Sequence, residues 1–120
     1  MTFIQPDPVA IVWTNTGVNT NVTPDTDSEV LVKNADTIVI QIDSTNANNT
    51  SDDFDVNVHA EVNKVWTTVP YAEKNVGDAE IKTLNVSPGV ERIRLRGDNN
   101  DAATTGYVTA TVMIRERRNR

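Results

Sequence analysis

Apolar and polar side chains alternate along much of this chain. In "FDVNVHAEV", Phe54, Val56, Val58, Ala60 and Val62 fall on one face, with Asp55, Asn57, His59 and Glu61 on the other. A strict period of two marks a half-buried β-strand. "YVTATVMIR" repeats it, with Val108, Ala110, Val112 and Ile114 inward, and "DTIVIQIDS" places Ile38, Ile40 and Ile42 on one face. "VAIVWT" and "SEVLVK" are shorter candidates, and "VWTTV" is expected to follow Val62 through a turn at Asn63-Lys64. "AEIKTLNV" and "VERIRLR" read as a hairpin joined by Ser87-Pro88-Gly89, since proline presets φ and glycine permits positive φ. The sole helical candidate, "YAEKNVGDAE", is interrupted by Gly77 and amounts to one turn at most.

About seven or eight short strands, separated by Asn, Asp, Gly and Pro, predict an all-β fold. The expected architecture is an antiparallel β-sandwich, immunoglobulin-like or jelly-roll. A single domain over residues 1–120 is expected, with a short N-terminal arm (1–8) and a basic C-terminal tail (115–120). Composition agrees, because Val and Thr suit a pleated surface while leucine occurs only at Leu31, Leu84 and Leu95. Cysteine is absent, so burial and backbone pairing supply the cohesion. No apolar run approaches the roughly 20 residues that span a membrane, and "MTFIQPDPVA" lacks the features of a signal peptide. A soluble protein made without export through a signal sequence is the expectation.

Charge is distributed unevenly. From Val90 onward seven arginines face four acids; before it, four lysines face thirteen acids. The split suggests contacts between copies or docking onto a charged lattice. Within "VERIRLRGDNND", Arg92, Arg94 and Arg96 alternate with Ile93 and Leu95 and so project from one face of a strand, about 7 Å apart. Such a ladder is either a solvated face or a set of guanidinium forks for carboxylates on another subunit. Arg115, Arg117 and Arg118 extend the basic character, and Trp66 and Tyr71 are candidate apolar anchors of an interface. The net charge of −6 disfavours nucleic acid, and no aromatic residue interleaves with the ladder to stack bases.

Other motifs point to ordinary structure. Arg96-Gly97-Asp98 reads as the end of a strand running into a turn rather than an integrin ligand. The acidic runs "PDTDSE", "SDDFD" and "GDNND" lack EF-hand spacing, so no metal is assigned, and "STNANNTSDD" is expected to be an exposed, mobile loop. His59, the only histidine, has no recognisable nucleophile partner and is expected at the surface. Trp13, at the end of the run "AIVW", is a candidate to cover the core. No catalytic signature, cofactor motif or internal repeat is present, so a non-enzymatic role is expected.

"DVNVHAEVNKVWTTVPYAEKNVGDAEIKTLNVSPGVERIRLRGDN", with "GYVTATVMIRE", resembles in style the small virion proteins of tailed bacteriophages. The shared elements are Val/Thr/Asn-rich strands, a "V-S-P-G-V" turn before "I-R-L-R", no cysteine and an acidic isoelectric point. This resemblance implies a capsid decoration or cement protein that stabilises the head lattice. It would sit on the virion surface after synthesis in the host cytoplasm, against the major capsid protein or other virion subunits. Homo-oligomerisation, as a trimer, is expected by the same analogy. A neck or tail ring component is an alternative within the particle. A carbohydrate-binding β-sandwich module is an alternative outside it, and would present a planar pair of exposed aromatics.

Overall fold

The computed structural model describes residues 2–14, 20–22, 28–48, 54–77, 79–99 and 105–118. Those residues form twelve strands and no helix: β1 Thr2–Ile4, β2 Val9–Thr14, β3 Thr20–Val22, β4 Glu29–Leu31, β5 Ala35–Asp43, β6 Ala47–Asn48, β7 Phe54–Val62, β8 Val65–Trp66, β9 Ala72–Val76, β10 Ile81–Val86, β11 Arg92–Asn99 and β12 Thr105–Arg118.

Two antiparallel sheets result. In the first, β12 is central: β1 and β2 line one side of it, β5 and β6 the other, and β10 pairs with β5. In the second, β11 is central, with β3 and β4 on one side and β7 on the other, and with β8 and β9 beyond β7. The chain changes sheet between β2 and β3, β4 and β5, β6 and β7, β9 and β10, β10 and β11, and β11 and β12. The chain thus crosses repeatedly between two facing sheets, as in a jelly-roll β-sandwich.

The period of two explains the core. Ile11 and Trp13 of β2, Ile38, Ile40 and Ile42 of β5, and Val108, Ala110 and Val112 of β12 point inward from the first sheet. Phe54, Val56, Val58 and Ala60 of β7, with Ile93 and Leu95 of β11, meet them from the second. Trp13 lies within this layer and is fully buried, its indole edge-to-face with Phe54 at 5.6 Å between centroids.

Five expectations are corrected. Ser87-Pro88-Gly89 does not close a hairpin: β10 pairs with β5 in one sheet and β11 with β7, β3 and β4 in the other. Buried Val86 and Val90 anchor the two ends of this connection, and Gly89 takes φ 103° to cross between sheets. "YAEKNV" is not a helical turn but contains β9, because its register against β7 runs from Ala72 to Val76. Arg96-Gly97-Asp98 is not a strand end, since β11 continues to Asn99 and pairs through Gly97↔Val56 and Asp98↔Asp55. His59 is 7% exposed rather than a surface residue. The expected loop begins at a buried residue, Ser44, whose hydroxyl donates to Gly77 O (2.8 Å) and accepts from Glu80 N–H (2.9 Å). Residues 49–53 lie outside the described residues, as do 24–27 and 100–101 of the acidic runs.

The turn at Asn63-Lys64 forms as expected, with both residues at positive φ (52° and 65°) between the paired Val62 and Val65. This is a two-residue hairpin whose primed turn matches strand twist. The N-terminal arm and the basic tail are joined to each other: Thr2, Phe3 and Ile4 pair with Arg118, Arg117 and Glu116.

Candidate functional site

The outer face of the second sheet gathers most of the candidate residues, because every second residue of β11 and its neighbours must point away from the core. Registry sets the rows. Arg92 stands between Leu31 and Glu61, and Trp66 follows Glu61 in the same row. Arg94 stands between Glu29 and His59, Arg96 beside Asn57, and Asp98 beside Asp55.

The three arginines differ in surroundings. Arg92 is exposed and its Nη1 lies 3.8 Å from Glu29 Oε1, with both side chains about half in solvent. A pair this long and wet contributes about 0–1 kcal/mol. Arg94 is half-buried, its guanidinium 4.5 Å from the centroid of the Trp66 ring, and its Nε is buried without a hydrogen-bond partner. Cation–π attraction of about 0.5–2 kcal/mol offsets part of that desolvation. Arg96 is exposed.

Carboxylates intersperse the ladder. Asp98 and Asp55 face each other across the strands, where like charges repel. Each is matched to an amide: Asn57 Nδ2 donates to Asp98 Oδ2 (2.8 Å) and Asn75 Nδ2 to Asp55 Oδ1 (2.7 Å). With Glu29 and Glu61 alongside Arg92 and Arg94, the face is a mosaic of both signs rather than a basic strip.

Residues 67–71 run along the side of β7 away from β11, between β8 and β9, and fix part of this mosaic. Thr67 N–H donates to Ala60 O and Tyr71 N–H to Val58 O. Thr67 O lies 3.0 Å from His59 Nδ1, and because a carbonyl only accepts, Nδ1 carries the proton. Tyr71 is exposed and its hydroxyl donates to Ser87 O at 3.0 Å, tying this segment to the Ser87–Gly89 crossing.

The structure therefore brings Arg92, Arg94, Arg96 and Trp66 together on one face, with Tyr71 at the adjoining edge. Arg115 is elsewhere. It pairs with Thr37 on β5 and projects from the outer face of the first sheet, on the far side of the core. Arg117 and Arg118 pair through their backbones with β1. Sequence reasoning missed the roles of Asn57, Glu29 and Gly97. Strand parity alone puts Asn57 beside the arginines, but its bond to Asp98 depends on the β7–β11 register. Gly97 does carry a local signal, since a glycine inside a strand marks a close approach. A Cβ there would lie 2.6 Å from Phe54 Cζ and 2.9 Å from Trp13 Nε1.

Among the described residues, no group of three His, Asp or Glu side chains converges to hold a metal. No family model matches the chain, and no curated protein matches it. Several solved structures are similar. PirA aligns with a TM-score of 0.55 and 15% identity over 88% of this chain and 92% of its own. A protein of the disulfide-linked pili of Bacillus endospore appendages aligns with a TM-score of 0.53 and 15% identity over 97% of this chain and 90% of its own. The SPBc2 prophage-derived protein YomS aligns with a TM-score of 0.49 and 12% identity over 92% and 96%. Identities this low carry the fold alone: the chain shares a β-sandwich with PirA and the pilus protein.

Proposed function

We propose that this chain is a non-enzymatic structural protein of a phage particle, a decoration protein that stabilises the capsid lattice by contacts with neighbouring subunits. The observation that carries the reading is the arginine ladder on the central strand of the second sheet. β11 is held along both sides by β7 and by β3 and β4, so Arg92, Arg94 and Arg96 are presented at fixed spacing of about 7 Å. Planar guanidinium groups on such a rail recognise carboxylates with little further ordering. The resemblance of the Val/Thr/Asn-rich strands and the "V-S-P-G-V" turn to small virion proteins supports the setting.

A sugar-binding role fits this face less well. The Arg94 guanidinium stacks over the Trp66 ring and the Tyr71 hydroxyl is engaged by Ser87 O, so the two aromatics do not form an open planar pair. Mass spectrometry of purified particles with copy counting tests the placement. Hundreds of copies support the head, whereas six, twelve or a few tens indicate the alternative, a neck or tail ring. Replacing Arg92, Arg94 and Arg96 with Ser tests the mechanism: capsid binding should weaken at least tenfold and lose its salt dependence. Unchanged affinity and salt response in that variant would show that the ladder is a solvated face.

A further inference from the structure

The two outer faces of the sandwich differ in charge. The outward positions of β4, β7, β9 and β11 include Glu29, Asp55, Glu61, Glu73, the three arginines and Asp98. On the first sheet, the described outward side chains of β2, β5, β10 and β12 are mostly uncharged: Asp43 and Arg115 mark the two ends, and Asp36 sits beside Arg115 where the β5–β12 register shifts. The middle of that face is Val39, Gln41, Thr111 and Met113, all lying in adjacent rows of β5 and β12. In a chain with a net charge of −6, two copies approach with least repulsion through such a surface.

The ends of the face are complementary to each other. Arg115, opposite Thr37, marks one end, and Asp43, opposite Thr109, lies six residues along β12, about 20 Å away. Tyr107, 42% exposed, stands beyond Asp43 on the same face. At the Arg115 end a shallow recess of about 300 Å³ is lined by Gln5, Thr37, Val39, Met113, Ile114 and Arg115. One end thus offers a carboxylate and a phenol ring, the other a guanidinium and a hollow.

We propose that this face pairs with the same face of a second copy about a two-fold axis running across the strands. That operation reverses the strand direction and keeps the lateral position. It sets Asp43 of each copy towards Arg115 of the other and carries each Tyr107 towards the other's recess, while Thr111 falls near the axis. An axis along the strands would instead oppose like charges. Among the described residues, Asp43 Oδ1 takes Thr45 N–H and Thr45 Oγ1–H, and the second carboxylate oxygen, Oδ2, can serve the contact. Four strands by six rows span roughly 20 × 20 Å, about 400 Å² on each copy, which is the size of a weak, transient contact, so the dimer should appear only towards high protein concentration. The proposal deepens the assembly reading above by assigning contacts between copies to the first sheet, leaving the arginine ladder of the second for another subunit.

Sedimentation velocity on the purified full chain, over about 1–200 μM, tests it. The wild-type protein should form a dimer as concentration rises. Thr111→Glu, which sets two carboxylates near the axis, should raise the dissociation constant at least tenfold with the fold preserved by circular dichroism. Asp43→Arg and Arg115→Asp should each weaken the dimer about tenfold, and together recover wild-type affinity. Arg94→Ser, on the opposite face, should leave it unchanged. A wild-type monomer throughout the range, a Thr111→Glu dimer of undiminished affinity, or a charge swap without recovery would each overturn the proposal. Particle incorporation reports separately: a dimer never found in virions sinks the phage reading but not this interface, and a monomer abundant in virions does the reverse.

Discussion

Substituting Gly97 by Ala inserts one methyl group where two aromatic rings meet. The new Cβ would lie 2.6 Å from Phe54 Cζ, 2.9 Å from Trp13 Nε1 and 3.1 Å from Trp13 Cε2, against an optimal carbon separation of about 3.5–4 Å. Neither ring can swing into solvent, because Phe54 is 3% exposed and Trp13 fully buried, and each leans on the other edge-to-face. The backbone cannot retreat easily either, since Gly97 pairs with Val56 on one side and Val22 on the other. Overpacking of a well-filled core costs about 1–3 kcal/mol, and replacing a strand glycine returns about 0.5–1 kcal/mol of chain entropy. With the rings this close, the cost should sit near its upper end, for a net loss of about 2 kcal/mol. At a urea m-value of about 2 kcal/mol per molar, the midpoint should fall by about 1 M. Urea titration followed by Trp13 fluorescence in a Trp66→Phe background measures it. Trimming the ring with Phe54→Leu should partly relieve the strain, so the double mutant should be more stable than the sum of the single effects by about 1 kcal/mol. A Gly97→Ala protein as stable as wild type, or an additive double mutant, would refute the packing argument.

Further outcomes follow from the same contacts. Ser44→Ala leaves Gly77 O and Glu80 N–H without their buried partner and should cost about 1–3 kcal/mol, read from the urea midpoint. The Glu80 carboxyl is held below its ordinary value of 4.5, chiefly by the Gly77 N–H at 2.7 Å and then by the Lys82 ammonium. A depressed pKa contributes stability that is present above the unfolded value and is lost as pH falls through the folded value. Glu80→Gln should therefore flatten the stability profile below about pH 4.5, as measured by thermal melts across pH 2–7. The arginine-to-serine and Thr111→Glu variants separate the two outer faces: the first should weaken capsid binding alone, the second self-association alone.

Sequence alone determined the longer strands and most of the apolar side chains that face inward along them, but not β9, nor the exposure of Val62 and the burial of His59. The Phe54–Val62, Ala35–Asp43 and Thr105–Arg118 strands are legible because pleating couples each residue to its second neighbour, a relation contained in a few consecutive residues. It also settled the Asn63-Lys64 turn and the common face of Arg92, Arg94 and Arg96, both local properties. Tertiary structure decided which strands pair. The Ser87-Pro88-Gly89 turn is equally compatible with a hairpin and with a crossing, and only burial of Val86 and Val90 in a core shared by two sheets selects the crossing. It likewise put Arg115 on the opposite side of the sandwich from the ladder, enclosed His59 beside Thr67, and pressed Gly97 against Trp13 and Phe54. Most of these relations join residues tens of positions apart, and their free energy arises from area removed from water between sheets, which no local pattern encodes.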